Sequence, residues 1–128
     1  MMISNFQEPP VVLLVEDEPL VRMSAADDLQ DAGFQVLEAA NADVALAVLE
    51  ARSDEVQVLF TDIDMPGSMN GLALAESVHR RWPHISLLIS SGAHRPHRLH
   101  LPHDGLFVPK PYHPEAVVRH IRELVTRH

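Results

Sequence analysis

With 128 residues, 46% of them hydrophobic, the chain has the length of one ordinary domain that can bury its own core. A formal charge of -8 argues against nucleic acid as a main partner, because phosphate backbones are bound by clustered basic residues. The absence of cysteine excludes disulfides and thiolate zinc sites, and no apolar run approaches the roughly 20 residues that span a bilayer.

The first ten residues, MMISNFQEPP, lack the basic and then apolar organisation of a signal peptide. We therefore expect a flexible N-terminal tail at residues 1–10 and one domain at residues 11–128. The composition favours a cytoplasmic protein that binds neither nucleic acid nor membrane.

Five short apolar runs, each rich in Val, Leu, Ile or Phe, are separated by polar residues. Runs of this length suit strands that are buried on both faces, as they are in parallel sheets. In chain order, the predicted strands are residues 11–15, 35–39, 56–60, 85–89 and 106–108.

Four helical patterns follow the first three strands and the last one. The first begins at Pro19, which an initial helical turn tolerates, and stops at Gly33. Asn41 can cap the second, the third runs from about residue 70 to 81 and ends before Pro83, and the last begins at Pro114. The predicted buried residues are Val21, Ala25, Leu29 and Ala32 in the first helix, Ala45, Val48 and Leu49 in the second, and Val117, Val118, Ile121, Leu124 and Val125 in the last.

Strands that alternate with helices predict a doubly wound α/β domain with a parallel sheet. The connection between Ser91 and Leu106 is different, because Pro96 and Pro102 confine any helix there to about one turn. We expect five parallel strands flanked by helices, with the fourth helix short or irregular.

Polar residues stand at the carboxyl ends of four predicted strands, which is the edge where open α/β sheets bind ligands. Three or four carboxylates, a hydroxyl and one ammonium group should therefore converge there. These residues are Glu16 and Asp17 after the first strand, Asp62 and Asp64 after the third, Ser90 and Ser91 after the fourth, and Lys110, the only lysine, after the fifth.

This set of groups suits phosphoryl transfer. Crowded carboxylates repel one another unless a cation neutralises them, and oxygen ligands of this kind suit Mg²⁺. A carboxylate can attack phosphorus to form an acyl phosphate, whose charge is met by metal, ammonium, hydroxyl and amide donors. Lysine fits a tight site because its ammonium is a compact point charge, whereas a guanidinium is a planar fork.

Each of these residues also has a purely structural interpretation. Glu16 and Asp17 can cap the first helix, which favours acids at its start. Asp62 can belong to the turn at residues 65–67, and Ser91 can be an ordinary polar loop residue. Only their joint placement at several strand ends favours a functional site.

Four motifs, in this order and spacing, resemble the receiver domains of two-component response regulators of the stand-alone, CheY-like type. They are VEDEP at residues 15–19, TDIDMPGSMNG at 61–71, SSG at 90–92 and FVPKPY at 107–112. The resemblance runs from residue 11 to about residue 125. It implies a five-stranded parallel sheet in the flavodoxin-like order 2-1-3-4-5.

The resemblance also implies a phosphoacceptor and a magnesium site. Asp62 would accept phosphate from a sensor histidine kinase or a histidine phosphotransfer protein. Mg²⁺ would be bound directly by Asp17 and by Asp62, through water by Glu16, and by the backbone carbonyl of Asp64.

The remaining motif residues would act in switching. Ser91 matches the hydroxyl that turns towards the phosphoryl group, and Phe107 matches an aromatic side chain that changes rotamer with it. Lys110 would contact the phosphoryl group, and its bond to Pro111 would be cis, a geometry that only proline makes inexpensive.

The implied function is a phosphoacceptor in two-component signalling that hydrolyses its phosphate slowly, is not otherwise an enzyme, and acts by binding an unidentified downstream protein. A receiver-fold adaptor that is never phosphorylated is one alternative, although every residue that the chemistry needs is present. A haloacid dehalogenase-like phosphatase is another, because VLFTDIDMPG at residues 58–67 resembles its Asp-x-Asp motif. That class needs a late acidic pair for its metal, which this chain lacks.

Four features depart from the family pattern, and the most consequential is the irregular connection after Ser91, because the family uses a fourth helix there as part of its output face. The segment from Asp62 to Gly71 is one residue longer than usual, and Asp64 adds an acid at a variable position, where it can alter metal affinity and phosphoryl lifetime. The switch hydroxyl belongs to serine, a permitted variant.

A histidine-rich segment follows Ser91 and contains His94, His97, His100 and His103. The interspersed prolines, Pro96 and Pro102, prevent a helical metal-binding face, so a solvated loop is favoured over a metal site. With Arg95 and Arg98 the segment forms a local basic patch, and we hypothesise that it contacts a partner.

Overall fold

The computed structural model describes residues 8–65, 67, 69–92 and 105–127. Strands and helices alternate along them in the order β1 (Val11–Val15), α1 (Pro19–Asp31), β2 (Gln35–Ala39), α2 (Ala42–Arg52), β3 (Val58–Asp62), α3 (Gly71–Arg81), β4 (Ser86–Ser91), β5 (Leu106–Pro109) and α4 (Pro114–Thr126). None of these helices is long and apolar enough to cross a membrane.

The five strands form one parallel sheet in the order β2-β1-β3-β4-β5, which confirms the predicted fold class and strand order. In register, Asp62 at the end of β3 pairs with Ser90 of β4, and Ser91 pairs with Pro109 of β5. All the carboxyl ends therefore meet at one edge. The predicted short fourth helix and the histidine-rich segment fall in residues 93–104, outside the described residues, as do residues 1–7 of the predicted tail.

Helices cover both faces of the sheet. Successive residues of β1 face opposite sides, with Leu13 and Val15 on one and Val12 and Leu14 on the other. The first side packs against α2 and α3, and the second against α1 and α4. The covering residues include Ala45, Leu49, Leu74 and Val78 on the first side and Ala25, Leu29, Ile121 and Leu124 on the second.

The predicted bounds of two strands and the predicted burial of one residue are wrong. The fourth strand is Ser86–Ser91 rather than residues 85–89, so Ser90 and Ser91 belong to it instead of following it. The third strand is Val58–Asp62 rather than residues 56–60. The prediction included Val56 because it is apolar, but this residue is fully buried ahead of the strand. The strand instead continues through Thr61 and Asp62, whose backbones still pair with neighbouring strands. In α1, Val21 is 38% exposed, since the buried stripe consists of Ala25, Ala26 and Leu29.

Candidate functional site

Three carboxylates form a cluster at the carboxyl edge of the sheet. Glu16 and Asp62 are each only 4% exposed, and Asp17 is half-buried. One oxygen from each of the three lies within 4.8 Å of the others. A set of oxygen ligands at this spacing has the chemistry that a hard divalent cation such as Mg²⁺ requires.

Hydrogen bonds to its backbone and its carboxylate hold Glu16 in this cluster. Its N–H donates to the carbonyl of Ala39 at 3.1 Å, which continues the β1–β2 pairing by one residue. Its Oε2 accepts the N–H of Glu18 at 3.0 Å, and its carbonyl accepts a hydrogen bond from Arg22 Nη1 at 2.8 Å. The helix-capping interpretation of Glu16 and Asp17 is wrong, because the N-cap of α1 is Glu18, whose carboxylate accepts the N–H of Leu20.

Lys110 brings one positive charge to two of the carboxylates. Its Nζ donates to Asp62 Oδ2 at 2.7 Å and to Glu16 Oε1 at 3.1 Å. Its backbone N–H donates to the carbonyl of Ser91 at 3.0 Å, which ties the residue to the end of β4. The Lys110–Pro111 peptide bond is cis, as the resemblance implies.

Burial and hydrogen bonding have opposing effects on the pKa of Glu16 and on that of Lys110. Burial raises the pKa of Glu16, and the hydrogen bonds from Glu18 and Lys110 only partly offset it. Burial alone would lower the pKa of Lys110, but its hydrogen bonds to Asp62 and Glu16 outweigh that effect and raise it. The ammonium therefore stays charged at neutral pH and helps to hold the two carboxylates together.

The loop after β3 passes very close to the start of α3. The N–H of Asp64 donates to Asp62 Oδ1 at 3.1 Å, so Asp62 makes the turn contact that its structural interpretation implies while its Oδ2 faces Lys110. A Cβ placed on Gly71 would lie 1.9 Å from the carbonyl oxygen of Asp62. Only glycine fits there. Gly71 stands in the motif at residues 61–71 and was assigned no function from the sequence, although a glycine at the start of a helix is a signal for such a close approach.

Ser91, the predicted switch hydroxyl, contacts Asp64. Its side-chain Oγ donates to Asp64 Oδ2 at 2.8 Å, and the residue is only 1% exposed. Phe107, the predicted aromatic switch, is half-buried and packs against the α2–α3 side of the core. The sequence predicted Ser91 and Asp64 at the same edge of the sheet but not the contact between them. The predicted metal contact of the Asp64 carbonyl stays a prediction.

An apolar groove, which we call the α1 groove, lies beside Lys110. It is lined by Leu20, Val21 and Ser24 on α1 and by Lys110, Pro111 and Tyr112 in the β5–α4 connection. Leu20 is 74% exposed, and Met23 on the same helix is 58% exposed. The sequence did not predict this surface, because the helical spacing of Val21 indicated a core residue.

Comparison with known proteins identifies relatives across most of the chain. The family model of the response regulator receiver domain matches residues 12–122. The chain is 34% identical over 119 residues to the sensor kinase CckA of Brucella abortus; the match covers 91% of this chain but only 12% of that protein's length.

Solved receiver domains have the same fold. The receiver domain of the hybrid histidine kinase CckA superposes with a TM-score of 0.77 at 28% identity, and the match covers 90% of this chain and 98% of that one. A CheY-like receiver domain protein from Methanospirillum hungatei JF-1 gives a TM-score of 0.83 at 24% identity, with 93% and 95% of the two chains covered. The second likeness concerns the fold alone.

Proposed function

Because this chain belongs to the response regulator receiver domain family, we propose that it accepts a phosphoryl group on Asp62 as a receiver in two-component signalling. The observation that carries the proposal is the position of the Asp62 carboxylate, which accepts a hydrogen bond from the ammonium of Lys110 and lies in one cluster with the carboxylates of Glu16 and Asp17. This arrangement combines a nucleophile, a fixed cation and a set of metal ligands within one small volume.

The donor in this proposal is a phosphohistidine on a sensor histidine kinase or a phosphotransfer protein. An oxygen of Asp62 forms a bond to phosphorus while the phosphorus–nitrogen bond breaks. The bonding electron pair goes to the ring nitrogen, and a ring that carries a proton on its other nitrogen leaves as neutral imidazole. Lys110 already donates to Asp62 Oδ2 at 2.7 Å, so its charge is in place for the incoming phosphoryl group.

The carboxylate cluster fits Mg²⁺. Asp17 and Asp62 would hold the ion directly, Glu16 would hold it through water, and the carbonyl of Asp64 would complete the protein ligands. A bound Mg²⁺ would neutralise charge on the phosphoryl oxygens. Without it, Lys110 is the cation that contacts both Glu16 and Asp62 among the residues described.

The α1 groove is the surface that we propose for docking of the phosphohistidine-bearing protein. It combines the exposed side chain of Leu20 with a wall formed by Lys110, which itself contacts Asp62. A partner that covers this groove would bring its histidine next to the acceptor. Exposed apolar side chains beside a reactive group are typical of a contact surface.

Signalling by this chain would depend on binding rather than on turnover. We propose that it loses its phosphate slowly, is not otherwise an enzyme, and binds an unidentified downstream protein as a cytoplasmic receiver. The position of Asp64 supports this proposal over a phosphatase, because its carboxylate accepts the Ser91 hydroxyl. Steady hydrolysis of a phosphomonoester would favour the phosphatase instead.

The proposal can be tested by intact-mass spectrometry after incubation with acetyl phosphate and Mg²⁺. We expect one phosphoryl adduct on the wild type, none on Asp62→Asn and none on the wild type in EDTA. Asp64→Asn is the matched control, since it removes a neighbouring carboxylate and should keep the adduct. A wild type that gains no adduct and binds no beryllofluoride would instead be an unphosphorylated adaptor.

A further inference from the structure

Asp64 contacts both the phosphoacceptor and the serine hydroxyl. Its backbone N–H donates to Asp62 Oδ1 at 3.1 Å, while its own Oδ2 accepts a hydrogen bond from Ser91 Oγ at 2.8 Å. The residue therefore connects β3 with the end of β4, across the edge where the phosphoryl group would be added.

The hydroxyl of Ser91 carries a single proton and donates to one acceptor at a time. In this structure it donates to the carboxylate of Asp64, and a hydrogen bond to an ionised acceptor is stronger than one between neutral groups. A phosphoryl group on Asp62 that also requires this hydroxyl must take it away from Asp64. The two acceptors are therefore alternatives.

The locations of the two side chains favour such an exchange. Ser91 is 1% exposed, so its hydroxyl needs a protein acceptor, whereas the side chain of Asp64 lies at the exposed surface of the loop. A carboxylate at the surface can turn into water at little cost when the hydroxyl leaves it. The loop can then release Ser91 without leaving a buried charge unpaired.

We propose that Asp64 is a positioning residue of the switch: its carboxylate holds the Ser91 hydroxyl in the unphosphorylated chain and competes for it with the phosphoryl group on Asp62. This inference rests on the proposed function. Under this proposal, a stronger Asp64–Ser91 hydrogen bond lowers the net affinity of the site for the phosphoryl group, because that bond must break before the hydroxyl can donate to the new acceptor.

A double-mutant cycle on the full chain tests the inference, with beryllofluoride as the phosphoryl analogue at saturating Mg²⁺. Calorimetry would give its affinity for the wild type, Asp64→Ala, Ser91→Ala and the double variant. Loss of the Asp64 carboxylate also removes a charge that repels the anion, but that effect is the same whether position 91 carries serine or alanine. The difference between the two backgrounds isolates the pair.

We expect Asp64→Ala to tighten beryllofluoride binding, and to do so at least about threefold more strongly with Ser91 present than with alanine there. Asp64→Asn serves as the conservative variant. It removes the charge but keeps an acceptor oxygen, so it should retain part of the coupling to Ser91. A purely structural contribution of Asp64 to the loop would not depend on the hydroxyl of Ser91.

Equal fold-changes in the two backgrounds would overturn the inference and leave Asp64 acting through its charge alone. Should Ser91→Ala be unstable, Ser91→Cys replaces it under the same criterion, because a thiol is a weak donor. A wild type that binds no beryllofluoride would overturn the proposed function together with this inference. A wild type that binds it without coupling would overturn the inference only.

Discussion

Lys110 and Asp62, 48 residues apart in the chain, are joined by a 2.7 Å hydrogen bond between ammonium and carboxylate. The same ammonium donates to Glu16 Oε1. Two of the three clustered carboxylates are thus already paired with a cation before any metal binds. This arrangement makes Lys110 and a divalent ion competitors for the same carboxylates.

Replacement of Lys110 by alanine should therefore tighten Mg²⁺ binding, by about tenfold, since it removes both a competitor and a nearby positive charge. Titration calorimetry in the absence of phosphoryl donor measures this. Arg127→Ala is the matched control, because it removes the same charge from a remote ion pair with Glu123 and should leave the affinity within about twofold. Weaker Mg²⁺ binding by Lys110→Ala would mean that the ammonium mainly holds the carboxylates in place.

The raised pKa of Glu16 predicts a pH-dependent difference between the wild type and Glu16→Gln. Since the pKa of Glu16 lies above its ordinary value of 4.5, its contribution to stability is fully present below pH 4.5 and is lost as the pH rises through the raised pKa. Glutamine cannot lose a proton. Without Mg²⁺, the free energy of unfolding of Glu16→Gln should increase relative to that of the wild type as the pH rises through this range.

Glu55→Gln gives the opposite sign as a control for the Glu16 measurement. A hydrogen bond from Arg52 lowers the pKa of Glu55, so its contribution is present above pH 4.5 and is lost as the pH falls through the lowered pKa. Urea unfolding at a series of pH values would measure both variants. A Glu16→Gln profile parallel to that of the wild type would contradict the raised pKa.

Gly71→Ala should destabilise the fold and disturb the site together. The added Cβ would lie 1.9 Å from the carbonyl oxygen of Asp62, so the loop that carries the phosphoacceptor must shift. Such overpacking typically lowers the free energy of unfolding by about 1–3 kcal/mol. Acetyl phosphate labelling should slow in the same variant, because Asp62 moves.

Gly92→Ala is the matched control for Gly71→Ala. It also lies beside the site, but its added Cβ would approach Lys110 Cβ no closer than 3.7 Å, an ordinary contact. We expect its free energy of unfolding to stay within about 0.5 kcal/mol of the wild type. Equal losses in the two variants would show that the close approach to Asp62 has no special cost.

The sequence predicted the composition of the site better than its contacts. Strand periodicity and the residues at strand ends were enough to bring Glu16, Asp17, Asp62 and Lys110 to one edge, because parallel strands place their carboxyl ends together. The hydrogen bond between Ser91 and Asp64 depends on side-chain rotamers and on the path of a loop, which have no periodic pattern.

Hydrophobicity and spacing predicted burial better than they predicted the element to which a residue belongs or the surface that it forms. Val56 is apolar and fully buried, yet it precedes β3, and Val21 has helical spacing, yet it lies on the α1 groove. Both errors arise because an apolar residue predicts burial or a contact but does not identify the element that it contacts. The α1 groove became visible only when α1 and the β5–α4 connection were placed together.

The α1 groove predicts a difference between protein and small-molecule phosphoryl donors. Leu20→Glu should slow transfer from a phosphorylated histidine kinase or phosphotransfer protein that is active on the wild type, by about tenfold, because it puts a charge into an apolar contact. Labelling by acetyl phosphate should be unchanged, since that donor needs no docking surface.

Val44→Glu adds the same charge at an exposed apolar position of α2, on the opposite face of the sheet, and should affect neither donor. Rates of phosphoryl transfer followed on gels with radiolabelled donor would measure all three chains. Equal slowing by Leu20→Glu and Val44→Glu would attribute the effect to net charge and count against docking at the α1 groove.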